Sequence, residues 1–199
     1  RYFCLSRGLG DVYKRQIYSR TGHGGVGSWL LVTAVVGRPA DLERVDVLPG
    51  AGIIPLTSGK QVNFAWWSPN GAWVDYLDSI SSGVGTLHVV NVMTGVDMLV
   101  AKGVANDPAP VWSVDSQRLA YSTGTQTFVV DVQAGSKPVL LDLRGPAFVL
   151  LWSVGSTHEL IATLGDGHQG IYVVDTQRNT AVQVDKQGIS GDIQWTLIP

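Results

Sequence analysis

Trp67-Ser68-Pro69-Asn70-Gly71 decides the fold, because it comes back. It returns as Trp112-Ser113-Val114-Asp115-Ser116 and as Trp152-Ser153-Val154-Gly155-Ser156, with a degraded copy at Trp195-Thr196. The tryptophans are 45, 40 and 43 residues apart. A period of that size, with strand-like sequence between the marks, is what stacked four-stranded sheets produce. A second mark runs in phase with the first. Leu87-His88-Val89-Val90-Asn91 leads to Gly95, Phe128-Val129-Val130-Asp131 to Gly135, and Ile171-Tyr172-Val173-Val174-Asp175 to Asn179. Asn91, Asp131 and Asp175 follow their tryptophans by 24, 19 and 23 residues. Each β-branched run reads as a short strand. An Asx residue with Gly or Asn four positions on suits a tight turn with local side-chain bonding and one positive φ.

Composition agrees with an all-β chain. Charged residues make up 15% of the sequence, and only Glu43 and Glu159 are glutamates, against a usual charged share of about 25%. Glycine, a poor helix former, is abundant, and valine, a good strand former, dominates the apolar set. The strands can be laid out unit by unit. The second unit has 73–77, 86–92 and 97–101, the third 118–122, 127–132 and 139–143, and the fourth 159–164, 170–175 and 181–184. Segments 62–67, 109–112, 148–152 and 192–197 lead from one unit into the next. A first unit is expected at 29–36, 42–47 and 53–56. The recurrent tryptophans are expected to fill the wedge between neighbouring sheets. Trp66 and Trp73 fall outside the repeat and are the better candidates for a surface role.

The first 16 residues behave differently. Asp11-Val12-Tyr13-Lys14-Arg15-Gln16 resembles a translated sequencing adapter, being what GAT GTG TAT AAG AGA CAG encodes. Such a segment is set aside in fold reasoning. It carries a net charge of +3 out of a total of −2, so the remainder stands at −5. The only cysteine, Cys4, goes with it, leaving no disulfide and no thiolate metal site. An acidic remainder without a basic cluster lacks the electrostatic basis for nucleic-acid binding. The longest strongly apolar stretch, 29–36, is too short to span a bilayer. On this reading the chain comprises an adapter-like 1–16 and a repeat region 17–199, with units of about 28–67, 72–112, 117–152 and 157–197. Its natural start is expected to lie upstream of Ile17, and a genuine stop after Pro199 would exclude a hydrolase domain downstream.

These marks resemble the TolB-type, WD-repeat-like β-propeller repeat. Trp67 to Gly71 matches the family's Trp-Ser-Pro-Asp-Gly turn with Asn70 in place of Asp, and Leu119-Ala120-Tyr121 and Ile171 to Asp175 match its two strands. The departures are Val114 and Val154 for the proline and Ser116 and Ser156 for the glycine, which puts the geometry of those turns in question. The resemblance covers about residues 60–199, and 28–59 less closely. It implies a partial β-propeller of about four blades, each a four-stranded antiparallel sheet. It also implies a non-enzymatic scaffold of the bacterial envelope, periplasmic or otherwise extracytoplasmic, that binds proteins or peptides. The same repeat forms accessory propellers of serine peptidases and of membrane sensor kinases.

Catalytic motifs are sparse. Gly22-His23-Gly24-Gly25-Val26-Gly27-Ser28 is Gly-rich, but it lacks the lysine and the following helix of a phosphate loop. Asp166-Gly167-His168 offers two adjacent potential ligands in a turn, too few for a metal site. His88 reads as a packed or edge histidine, and His23 and His158 have no partner at ligand spacing. Asp75, Asp78, Asp107 and Asp115 read as turn or strand-edge residues. There is no Gly-x-Ser-x-Gly elbow. The expected catalytic, cofactor and metal residues are therefore none, and the repeat marks are structural.

Overall fold

The computed structural model describes residues 16–21, 28–33, 41–46, 52–143, 145, 147–164 and 170–186. Among these there are sixteen strands and no helix. They are β1 (Gln16–Thr21), β2 (Ser28–Thr33), β3 (Leu42–Asp46), β4 (Ile53–Pro55), β5 (Val62–Trp67), β6 (Trp73–Ser81), β7 (Val84–Asn91) and β8 (Asp97–Ala105). The second half continues with β9 (Val111–Trp112), β10 (Arg118–Ser122), β11 (Thr127–Asp131), β12 (Val139–Leu140), β13 (Ala147–Trp152), β14 (Glu159–Leu164), β15 (Gly170–Asp175) and β16 (Thr180–Asp185). Strands join in chain order into four sheets of four: β1 to β4, β5 to β8, β9 to β12 and β13 to β16.

Each Trp-ended strand pairs with the strand that follows its turn: Trp67 opposite Val74, Trp112 opposite Leu119, and Trp152 opposite Leu160. A repeat counted from one tryptophan turn to the next therefore straddles two sheets. The turn itself is held by the serine. Ser68 Oγ accepts the Trp73 N–H at 3.0 Å and donates to Asn70 Oδ1 at 2.8 Å, while Asn70 Oδ1 accepts the Ala72 N–H at 2.9 Å. Gly71 closes it at a φ of 73°. The next copy is superposable in its bonds despite losing both Pro and Gly. Ser113 Oγ accepts the Arg118 N–H at 2.9 Å and donates to Asp115 Oδ1 at 2.5 Å, and Ser116 takes the glycine's place at a φ of 61°. A serine at positive φ is uncommon, so the surrounding bonds impose it. The third copy is one residue longer between Trp152 and its partner Leu160, and Ser153 Oγ accepts the Gly155 N–H at 3.2 Å.

The second mark builds the β7–β8 and β15–β16 turns. Asn91 Oδ1 accepts the N–H groups of Met93 and Thr94, and Asp175 Oδ1 those of Gln177 and Arg178. Gly95, Gly135 and Asn179 carry φ of 69°, 81° and 52°.

Two compact units divide the chain, one made of 1–81 and 86–101, the other of 82–85 and 102–199. In the first, Leu42 and Leu56 pack with Val62, Ala65, Val74, Tyr76, Val90 and Val92, and Trp67 lies against them partly buried. In the second, Ala120, Val129 and Leu141 meet Leu150, Trp152, Leu160, Ala162, Leu164, Tyr172 and Val174. Each such side chain taken out of water stabilises by about 1.5–3 kcal/mol, so the cores lie where successive sheets meet within a unit.

Several expectations need correction. β1 lies where no strand was expected, beginning at Gln16, the last residue of the adapter-like hexapeptide, and pairing Gln16 to Thr21 with Thr33 to Ser28. β6 runs past Leu77 to Ser81 because Ser82 and Gly83, at φ of 52° and 82°, close a two-residue hairpin. Asp75 is neither a turn nor an edge residue: it is fully buried within β6, a central strand. The rest of the adapter-like segment, the Gly-rich loop, Asp166 to His168, the 192–197 strand and Trp195 lie outside the described residues.

Candidate functional site

Among the described residues of the first unit, five titratable side chains gather on the β5–β8 sheet. Tyr76 and Asp78 come from β6, His88 from β7, Asp97 from β8, and Lys60 from the segment entering β5. β7 is an inner strand covered on both faces: Leu87, Val89 and Val90 are fully buried, and His88 between them is 7% exposed. The imidazole stacks on the Tyr76 ring with centroids 5.0 Å apart and planes 13° apart. Its Nδ1 lies 3.2 Å from Asp97 Oδ1, and the Tyr76 hydroxyl donates to Asp97 Oδ2 at 2.8 Å. On the other side Nε2 lies 3.4 Å from Lys60 Nζ. Lys60 Nζ also sits 3.8 Å from Asp97 Oδ2 and 3.9 Å from Asp78 Oδ2.

The chemistry of this arrangement follows from its donors. An ammonium can only donate, so Nε2 of His88 accepts and Nδ1 carries the proton toward Asp97. Burial opposes ionisation of Asp97, but hydrogen bonds from His88 and Tyr76, with the Lys60 charge, hold its carboxyl below the ordinary range. Tyr76 is pushed well above the ordinary phenol value by burial, then by Asp97. A His–Asp pair becomes a general base when Nε2 faces a hydroxyl or a water on the substrate side. Here Nε2 faces Lys60 instead. The cluster binds three strands to the segment that leads into the sheet.

That segment is anchored from the preceding sheet. Asp41 Oδ2 accepts the Gly59 N–H and Oδ1 the Lys60 N–H, both at 2.9 Å, and the Thr57 hydroxyl donates to Oδ1 at 2.9 Å. Burial raises the Asp41 pKa, yet these bonds and Lys60 outweigh it and the net shift is downward. Arg44 of β3 donates to the Val92 carbonyl at 2.7 Å. Trp66 and Trp73 are half-buried, and Trp66 stacks on Phe64 with centroids 5.8 Å apart.

The second unit has a counterpart between its two sheets. Arg118 Nη1 donates to His158 Nδ1 at 2.7 Å and to the Thr157 carbonyl at 3.2 Å, while Nε lies 3.4 Å from Asp131 Oδ1. His158 thus has a partner that sequence spacing did not reveal. Asn179 Nδ2 donates to the Leu140 carbonyl, and its Oδ1 accepts the Asp142 N–H, both at 3.0 Å. Beside it lies a depression of about 280 Å³ lined by Asp142, Tyr172, Ala181 and Gln183. Among the described residues no group of three or more His, Cys, Asp and Glu side chains is placed to hold a metal ion, and no helix is long and apolar enough to cross a membrane.

No family model and no curated protein matches this chain. Solved structures do. A puromycin-hydrolysing peptidase of Mycobacterium tuberculosis matches at 14% identity with a TM-score of 0.58, over 84% of this chain and 30% of that one. A structure from Agrobacterium tumefaciens assigned as TolB matches at 13% identity with a TM-score of 0.52, over 78% of this chain and 60% of that one. An oligogalacturonate lyase in complex with manganese matches at 13% identity with a TM-score of 0.52, over 78% of this chain and 44% of that one. The chain thus spans between 30% and 60% of the length of these proteins. At such identities the likeness is one of fold, and with four four-stranded antiparallel sheets in chain order the fold is that of a partial β-propeller.

Proposed function

We propose that this chain is a non-catalytic β-propeller scaffold that binds a protein or peptide, in the bacterial envelope. The observation that carries the reading is the fate of His88. Its Asp97-oriented imidazole presents Nε2 to Lys60 at 3.4 Å, so this His–Asp pair joins strands where a hydrolytic base would face substrate. The repeat's resemblance to the TolB-type propeller favours a binding role, the fold likeness to the TolB-assigned structure is consistent with it, and the acidic charge balance disfavours nucleic acid as the ligand.

A second reading is the accessory propeller of a serine peptidase, or of a membrane sensor kinase. The peptidase version is favoured by the match to 30% of the length of the puromycin-hydrolysing peptidase. On that reading chemistry belongs to a separate domain, and the blades select or exclude substrates. The two readings part in one experiment. The purified chain is screened against a displayed peptide library and, separately, mixed with puromycin and aminoacyl amides. Sequence-selective peptide binding without turnover supports the scaffold. Binding confined to aminoacyl amides supports the accessory propeller, and turnover by the chain itself refutes both.

A further inference from the structure

We propose that the contact between Arg118 and His158 is an acid-opened latch between the β9–β12 and β13–β16 sheets. It is closed while the His158 imidazole is neutral and opens when that ring gains a proton.

Arg118 stands at the start of β10, and His158 lies in the turn just before β14. Arg118 Nη1 is 2.7 Å from His158 Nδ1, 3.2 Å from the Thr157 carbonyl and 3.4 Å from Thr176 Oγ1. A guanidinium has only donors and does not lose its charge in a protein. The hydrogen bond therefore runs one way: Arg118 donates, Nδ1 accepts, and the neutral ring carries its proton on Nε2. A proton on Nδ1 removes the acceptor and sets a second cation against the first. All three Arg118 contacts to the β13–β16 sheet run through Nη1, so driving that nitrogen from the ring loosens all of them.

The carboxylates nearby are engaged elsewhere. Asp131 Oδ1 lies 3.4 Å from Arg118 Nε. Asp115 Oδ1 accepts from Ser113 and Gln117, and its carboxylate feels the Arg118 charge. Asp175 is bonded to Arg178 at 2.6 Å. Glu159 is exposed and stands opposite Asp175 in the β14–β15 register. The backbone of His158 is tied within its own sheet, its carbonyl accepting the Thr176 N–H at 2.8 Å and the Thr176 hydroxyl at 2.9 Å. His88 is the contrast. It too accepts from a cation, Lys60 at 3.4 Å, but Asp97 lies 3.2 Å from its Nδ1, so a charged ring there keeps a carboxylate partner. Histidine is the side chain that changes charge between about pH 5 and 8. The closed latch excludes a proton that the unfolded chain accepts, so its contribution to stability is present at the upper end of that window and is lost as pH falls.

The test uses the full chain. Nitrogen NMR of the imidazoles at about pH 8 should find His158 protonated on Nε2 alone. Urea unfolding is then compared at about pH 8 and about pH 5.5 in the wild type, His158→Asn and Arg118→Ala. Asparagine keeps a short acceptor that does not titrate, and alanine removes the facing cation. On acidification the wild-type folding constant should fall by about tenfold more than that of either variant. A fall that persists in His158→Asn and disappears in His88→Asn places the acid response on the other histidine and overturns the assignment. A proton found on His158 Nδ1 in the wild type at the higher pH overturns it too, whatever the variants do.

Discussion

Replacing Ser68 by alanine removes one oxygen from the turn that defines the repeat. Ser68 is fully buried. Its Oγ accepts the Trp73 N–H at 3.0 Å and donates to Asn70 Oδ1 at 2.8 Å. Alanine strands that N–H inside the turn, at a cost of about 1–3 kcal/mol for an unsatisfied buried donor. The expected destabilisation is therefore about 2 kcal/mol. Ser113→Ala should match it, since Ser113 Oγ accepts the Arg118 N–H at 2.9 Å and also donates to Asp115. Ser153→Ala should cost about half as much, because its contact to the Gly155 N–H is longer, at 3.2 Å, in a turn with an extra residue. Urea unfolding followed by tryptophan fluorescence reads all three. With a slope of about 2 kcal/mol per molar, Ser68→Ala shifts the midpoint down by about 1 M. A cycle with Asn70→Ala should return a coupling of about 1 kcal/mol. Equal losses below about 0.5 kcal/mol in all three variants would refute the view that these hydroxyls hold the repeat.

Three further outcomes are expected. Asp41 and Asp97 both titrate below their ordinary value of 3.8. Their contribution to stability is complete above that value and is lost as pH falls through the lowered folded values. Asp97→Asn should thus flatten the acid limb of stability against pH, measured by urea midpoints, and an unchanged limb contradicts the assignment. Gly170→Ala should destabilise by about 2–3 kcal/mol, because a Cβ there meets the Asp185 carbonyl and the Gln183 amide at a φ of 149°; a wild-type melting temperature would show that β16 yields. Arg118→Ala should cost about 1–2 kcal/mol through loss of its bonds to His158 and Thr157, with no rescue by lysine in thermal melts, since an ammonium cannot reproduce the guanidinium fork.

Much of the fold is legible because blades repeat their local chemistry. A tryptophan strand, a serine turn and an Asx turn recur, and each is a local event that sequence spacing records. The Ser116 turn is less legible: only the bonds from Ser113 and Asp115 reveal that serine can take the glycine's φ of about 61°. β1 is hidden because Gln16 falls within a hexapeptide that reads as foreign. The Lys60, Tyr76, His88 and Asp97 cluster is hidden for a different reason. Its members come from three strands and a connection, and cross-strand neighbours leave no fixed spacing. One signal was available: His88 and Asp97 flank the Asn91–Gly95 turn, and a tight hairpin brings such flanks within reach of each other. Nothing in the sequence points to Lys60 in the same way. The buried Asp75 is likewise unreadable, because alternation is loose in strands buried on both faces.

The polar cluster around His88 joins three strands to the segment that enters the sheet, and the proposed function has the chain bind peptides without turning them over. Its most direct test is mass spectrometry of a mixed peptide pool after incubation with the wild-type chain and with His88→Asn. The expected result is that a subset of peptides is retained and recovered intact by the wild type, and that His88→Asn lowers the melting temperature without creating or removing any product. Cleaved peptides that appear with the wild type and vanish with His88→Asn would contradict it.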